Sequence, residues 1–431
     1  MDSENRTEEE SPLFVVHEGS SLEARTPKSH ARDAHIMSFA FLFIFSAYGA
    51  AQNLQSTVNT EQGLGTTSMG ILYISFTLFS VVASIVVRKL GSKTALVLGT
   101  TGYLLFIASN LKPSWYTMIP ASVYLGFTAS IIWVGQDNVL GYLSCFCSTK
   151  PCKKDQHLHE GTIIGNFNGE FWVFASTQVI GNLISLLLLK DGREEGAPTG
   201  TGILFTVFLG CMLLGTILMC FLSKRDDNED DLPSYASFGS LLKSVTAPLQ
   251  EARVLLIIPL FAYSGLQQAF NQLSGLSGVG GAMAVYGVAD AICALLAGRF
   301  TSDLYSVTLI VSFGSFLQFV ILLWLLFGYS LSSGVLGSIL PLVIGAVWGI
   351  GDGVFNTQLN ALLGMLFRQN TEAAFAQLKV WQSAATAVVF FLSPAIGLKA
   401  MVIIMTAALC ISVSGFLFLA LSLQKSSIVP S

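Results

Sequence analysis

Charge is what this sequence has least of. Asp, Glu, Lys and Arg together make up 11% of its 431 residues, where a soluble domain carries about 25%. Hydrophobic residues fill 52%, and the mean hydropathy is +0.66, too apolar for a single soluble core. That scarcity excludes a soluble enzyme and a disordered chain. A basic excess is missing too: 26 acids face 22 bases, so the chain lacks the footprint of a nucleic-acid binder. Cysteine is too sparse for a secreted disulfide scaffold. Of seven, Cys211, Cys220, Cys293 and Cys410 sit in apolar runs, where a thiol packs as a small hydrophobe. No nucleotide-binding loop and no catalytic constellation can be read, so the expectation is a non-enzyme without a cofactor. Residues 1–34 are polar and acidic, the wrong pattern for a secretory signal peptide.

What the chain does have is long apolar runs. By length and flanks they cover 36–57, 66–87, 94–110, 116–140, 163–189, 201–223, 252–272, 279–300, 305–328, 336–358, 371–395 and 400–423. About 20 residues cross a bilayer as a helix, and a backbone in lipid must satisfy its own hydrogen bonds. A membrane barrel would alternate polar and apolar residues over ~10-residue strands; these runs do not. The expectation is an all-α integral membrane protein in a lipid bilayer, with about twelve transmembrane helices.

The polar connection 224–251, beginning Lys224-Arg225-Asp226-Asp227, divides the runs into two sets of equal number. The organisation read from this is a polar segment 1–35, a six-helix bundle 36–223, a linker 224–251, a six-helix bundle 252–424 and a tail 425–431. Most of the bases lie in the N-terminal segment, the even-to-odd loops and the C-terminus. The exceptions are Lys112, Lys190, Arg193 and Lys399 in the opposite loops, and Lys379 inside a span. The positive-inside rule therefore places both termini and the linker in the cytosol. The compartment, plasma membrane versus vacuolar or other endomembrane, stays open.

The halves repeat. Span 1 reads Ala47-Tyr48-Gly49-Ala50-Ala51-Gln52, and span 7 reads Ala262-Tyr263-Ser264-Gly265-Leu266-Gln267. Span 4 carries Trp133, Asp137 and Val139; span 10 carries Trp348, Asp352 and Val354 at the same spacing. Two matches at spans six apart favour a duplication, and parallel six-helix repeats of this kind resemble the major-facilitator layout.

Five charged residues fall inside spans: Asp137, Glu170, Asp290, Asp352 and Lys379. A charge at the centre of a membrane helix costs about 2.5–3.5 kcal/mol on insertion scales and normally faces a bundle interior or a water-filled cavity. Read as function, they form a proton or ion pathway or a gate between the halves; read as structure, they are paired charges that tie helices together. Their depth puts Asp137, Glu170, Asp352 and Lys379 at one level in the cytosolic half, and Lys379 is expected to pair with Asp352, Glu170 or Asp137. Asp290, one turn past Tyr286, is expected to be buried in its neutral form.

Gly345, Gly349 and Gly353 recur every four residues in span 10, a register that lets helices pack closely. Trp348, Asp352 and Asn356 form a neighbouring stripe expected to line a cavity, with Gln358 and Asn360 at the cytosolic end. Gln52, Asn53, Gln267 and Gln268 near the other ends of spans 1 and 7 are further cavity candidates. The loop 145–159 holds Cys145, Cys147, Cys152, His157 and His159. These are weak zinc candidates whose spacing is not a usual finger; palmitoylation of the juxtamembrane cysteines and plain unmodified thiols are the alternatives.

Several stretches resemble a known family. Gly351-Asp352-Gly353-Val354-Phe355-Asn356-Thr357-Gln358-Leu359 is similar to the signature of Unc-ninety-three-like proteins, a divergent branch of the major facilitator superfamily. Ala373 through Ser383, Gly169-Glu170-Phe171-Trp172, Gly181-Asn182-Leu183 and Ala262-Tyr263-Ser264-Gly265 fit the same branch, with plant-type members the nearest in character. The loop after span 2 resembles the tail of the major-facilitator loop signature at Gly91, Lys93 and Leu96, but Arg88 stands at its acidic position and Ser84 at its first glycine. The connection from Leu273 to Gly278 is also short for the family. The resemblance implies a major-facilitator-type bundle of two six-helix halves and a role in potassium homeostasis, as a transporter or a channel-regulating subunit with a channel as partner. A proton-coupled transporter of a small solute and a trafficking chaperone for another membrane protein are the alternatives.

Overall fold

The structure, a computed structural model, describes residues 27–59, 61–149, 179–191, 199–223, 246–273, 280–327, 335–367 and 371–428. Among the described residues there are twelve α-helices. The first half holds α1 (Pro27–Val58), α2 (Leu64–Leu90), α3 (Ser92–Ser109), α4 (Trp115–Thr149), α5 (Val179–Asp191) and α6 (Thr199–Cys220). The second holds α7 (Ala252–Leu273), α8 (Gly280–Phe300), α9 (Leu304–Phe327), α10 (Val335–Leu366), α11 (Thr371–Leu392) and α12 (Leu398–Ile428). Ten are long and apolar enough to cross a membrane; the exceptions are α3, of 18 residues, and α5, whose described apolar part is Val179–Leu188.

Helix ends follow local chemistry. The helix α1 opens on Pro27, the position where a missing N–H costs nothing. The joint between α2 and α3 is Gly91 alone, at φ 75°, a left-handed conformation that glycine adopts without strain. The helix α4 runs on to Thr149, beyond the expected end at 140, because no proline interrupts it before Pro151 and the residue preceding a proline disfavours helix. Cys145 and Cys147 therefore belong to the last turns of α4 and not to a loop.

The contacts repeat with a period of six helices. In the first half α1 packs on α5 and α6, α2 on α4, α3 on α4 and α6; in the second α7 packs on α11 and α12, α8 on α10, α9 on α10 and α12. The halves join along α2–α11 and α5–α8, which are themselves equivalent pairs. Outward faces are apolar: Leu78, Phe300, Phe327 and Ile411 are each more than half exposed. Polar groups are instead buried, the inversion expected when the surrounding solvent is hydrocarbon.

Close packing rests on backbone contact. A Cβ on Gly345, Gly349 or Gly353 of α10 would lie 2.6, 2.2 or 2.6 Å from the carbonyl oxygens of Ala282, Tyr286 and Asp290 on α8. In the first half Gly126 of α4 makes the matching approach, 2.5 Å from the Leu72 carbonyl on α2.

Candidate functional site

The α8–α10 seam fixes one wall of a cavity of about 130 Å³ between the halves. From the second half, α8 contributes Tyr286 and Asp290, α10 contributes Asp352 and Asn356, and α11 contributes Lys379, Gln382 and Ser383. The three charges are nearly sealed, with 2%, 5% and 6% relative exposure for Asp290, Asp352 and Lys379. Asp352 is held from both sides: Tyr286 Oη donates to Oδ2, and Asn356 Nδ2 donates to Oδ1 at 3.0 Å. The Asp290 carboxylate lies beside Gly353, whose missing Cβ would stand 3.0 Å from its Oδ1. A larger residue at 353 would push the two carboxylate-bearing helices apart.

The wall from the first half is aromatic and amide, with no charged side chain among its described lining residues. Phe45, Tyr48, Tyr103 and Trp133 form its ring surface. Tyr103 meets Tyr48 edge-on at 4.8 Å and Phe45 at 5.2 Å, and Phe45 lies 5.1 Å from Trp133. Gln52 Nε2 donates to Tyr73 Oη at 2.6 Å, and Tyr73 stacks on Phe390 of α11 at 5.8 Å. Lys379 crosses between halves: its Nζ sits 4.6 Å from the Trp133 ring centroid, within cation–π range. The Thr77 and Ser383 hydroxyls, 2.9 Å apart, make a second link along α2–α11.

Of the residues singled out from sequence, Asp290, Asp352, Lys379, Gln52 and Asn356 line this one cavity, as do Asn53 and Gln268. Trp348, Gln267 and Gln358 lie outside its lining. Trp348 is buried against Phe270 at 5.1 Å. Gln268 lines the cavity and Gln267 does not, in keeping with the turn of about 100° between adjacent helical residues. Gln358 is buried, and its Nε2 donates to Thr301 Oγ1, just past the end of α8, at 2.9 Å. Gly345, Gly349 and Gly353 form the seam described above. Asp137 belongs to α4, but its side chain lies outside the described residues, as do Glu170 and the Cys145, Cys147, Cys152, His157 and His159 side chains. Among the described residues no group of His, Cys, Asp and Glu could hold a metal.

Sequence reasoning missed the aromatic wall. Its signal was present as tyrosines and a tryptophan in spans 1, 3 and 4, but an aromatic in an apolar run reads equally well as core. Gln382 and Ser383, which follow Lys379 by three and four residues, were passed over for the same reason. Chemically, the site pairs an ammonium-tolerant ring surface with two positioned carboxylates and a lysine that bridges the halves.

Comparison with known proteins places this geometry. The sequence model of the family described as "Ion channel regulatory protein UNC-93" matches residues 56–273 and 332–418. UNC93-like protein 3 of Arabidopsis thaliana is 56% identical over 419 residues, spanning 93% of this chain and 88% of that one. Protein unc-93 homolog A of Bos taurus is 30% identical over 408 residues, spanning 84% and 87%. Among solved structures, the E. coli fucose:proton symporter FucP superposes with a TM-score of 0.59 at 13% identity, over 91% of this chain and 99% of that one. The nucleoside transporter NupG superposes with 0.57 at 12% identity, over 92% and 99%. The fold is that of the major facilitator superfamily.

Proposed function

The chain belongs to the UNC-93 family, and from that premise we propose that it acts in potassium homeostasis as a membrane subunit that regulates an ion channel. The observation that carries this reading is the family match across both halves, residues 56–273 and 332–418. A further relative, unc-93 of Caenorhabditis elegans, has a name that proposes a potassium channel regulatory role. It is 27% identical over 434 residues, 89% of this chain and 60% of that longer one. The partner is a channel in the same bilayer, and both termini of this chain face the cytosol.

A transporter-type fold suits regulation because its halves are joined along two helix pairs and can rock about them. The outer face offered to a partner then changes with the state of the cavity. Lys379 on Trp133 is the contact that opening would break, so Lys379 is assigned as part of the gate, with Asp352 in the same cavity wall; Asp137 and Glu170 are further gate candidates from the sequence alone.

The test is purification of the tagged protein from its native membrane in mild detergent, with the stoichiometry of co-purifying membrane proteins. A channel at near-equal ratio, whose current changes when this chain is co-expressed, supports the proposal. Recovery alone as a monodisperse species opposes it. Lys379→Ala should alter the regulated current at unchanged abundance; an unaltered current removes the gate from the proposal.

One observation favours a second reading. Two carboxylates in a cavity between repeats suit a proton-coupled secondary transporter of a small solute. Gradient-driven flux in proteoliposomes that is lost in Asp352→Asn would favour it over channel regulation. A partner whose surface abundance, not current, depends on this chain would instead indicate a trafficking chaperone.

A further inference from the structure

We infer that the central cavity is a binding site for a small organic ammonium ion. The inference stands on the cavity's own chemistry and does not require that the chain regulate a channel.

The wall from α1, α3 and α4 presents the rings of Phe45, Tyr48, Tyr103 and Trp133. They meet at steep angles, 90° between Tyr48 and Tyr103 and 70° between Phe45 and Tyr103. All four rings line the cavity, and a ring face that meets the space attracts a cation stripped of water. The molecule already shows this attraction: among the described lining residues Lys379 is the ammonium, and its Nζ rests on the Trp133 ring at 4.6 Å from the centroid.

The wall from the second half supplies two carboxyl groups. Asp290 and Asp352 come from adjacent helices locked by the glycine seam, and Asp352 is fixed by Tyr286 and Asn356. A guest cation therefore meets carboxylates whose positions are set before it arrives, which reduces the ordering cost of binding. Rings on one side and carboxylates on the other match a methylated or alkyl ammonium, which has an apolar surface and a single positive charge. A bare metal cation is held by a shell of oxygens and makes no use of the ring wall, so potassium serves as the reference cation.

Volume sets the size. A cavity of about 150 Å³ takes up benzene. The 130 Å³ here therefore admits a guest of roughly five or six non-hydrogen atoms, the size of tetramethylammonium, with choline about one atom larger. A guest with a carboxylate tail would place it towards Lys379; one with a hydroxyl would use the Gln52 or Gln382 amide.

The experiment uses the full chain purified in detergent. Thermal unfolding and tryptophan fluorescence are followed while tetramethylammonium chloride or choline chloride is titrated, with potassium chloride at equal ionic strength as the reference. The expected result is a saturable rise in Tm and a saturable change in fluorescence with either amine and not with potassium. Trp133→Leu and Asp290→Asn should each weaken the amine by about tenfold or more. Leu78→Ala, at a lipid-facing position outside the lining, should leave affinity unchanged. If Trp133→Leu does not fold, Asp290→Asn decides the matter. Absence of saturation at tens of millimolar, an equal response to potassium, or full affinity in Asp290→Asn overturns the site. Amine binding without a channel partner would keep this site and count against the proposed function; the reverse outcome would do the opposite.

Discussion

Gln52 and Gln267 stand at matched places in the repeat, and their surroundings differ. Gln52 donates to Tyr73 at 2.6 Å in the cavity wall. Gln267 is 1% exposed, and among the described residues neither atom of its amide has a hydrogen-bond partner. A buried polar group left unpaired costs about 1–3 kcal/mol, whereas a made hydrogen bond contributes about 0.5–1.5. Gln267→Met, which keeps the side-chain length and removes the amide, is therefore expected to raise Tm. Gln52→Met is expected to lower it. Thermal unfolding of both variants in one detergent checks the pair; a Tm loss in Gln267→Met would mean that its amide holds something, such as a buried water. The sequence showed that both glutamines sit in spans at equivalent depth. It did not show which one reaches the cavity, because Gln267 and Gln268 are both glutamine and only the turn of α7 separates them.

At the scale of helices, the spans were legible and their faces were not. Length and hydropathy located most helix ends to within a few residues; α1 starts nine residues before the expected 36, through Lys28, Arg32 and Asp33, while α4 runs nine residues past 140 and α10 eight past 358. Orientation is harder in a chain of this kind. A soluble helix announces its buried side by an apolar stripe. Here lipid and core are both apolar, so the stripe is weak. The Trp348, Asp352 and Asn356 series shows the consequence: residues four apart drift by about 40° around a helix. Over two such steps Trp348 leaves the cavity for Phe270, while Asp352 and Asn356 stay in its wall. The glycine series escapes this problem because contact with a backbone tolerates no side chain. Gly349→Val would force the α8–α10 backbones apart, since even a Cβ would stand 2.2 Å from the Tyr286 carbonyl. The expected cost is at or above the ~1–3 kcal/mol of ordinary overpacking, with loss of the Tyr286–Asp352 pairing. By contrast, Gly202→Ala and Gly210→Ala in α6 meet nothing within 4 Å and should be neutral or stabilising by up to about 1 kcal/mol. Detergent unfolding and purified yield distinguish the two classes.

For the molecule as a whole, the duplication visible in two short matches, Ala-Tyr…Gln and Trp…Asp, extends to the pattern of helix contacts. Every pairing named within the first half recurs in the second. The two joints, α2–α11 and α5–α8, are the places where one half can move against the other. They also frame the cavity, so a change in the angle between the halves must change the distance from the ring wall to the carboxylates. At the α2–α11 joint the Thr77 and Ser383 hydroxyls are already in contact at 2.9 Å, so cysteines at these two positions can be bridged with little backbone movement. In a background without the native cysteines, Thr77→Cys with Ser383→Cys should oxidise to a species that retains the folded Tm. If rocking about this joint transmits the state of the cavity to the outer surface, the oxidised protein should lose its effect on a partner channel's current or its solute flux. Reduction should restore that effect, and each single cysteine should behave as the parent. Full activity in the oxidised double variant would mean that the halves act as one rigid body, and regulation would then have to come from the static outer faces of α3, α6, α9 and α12.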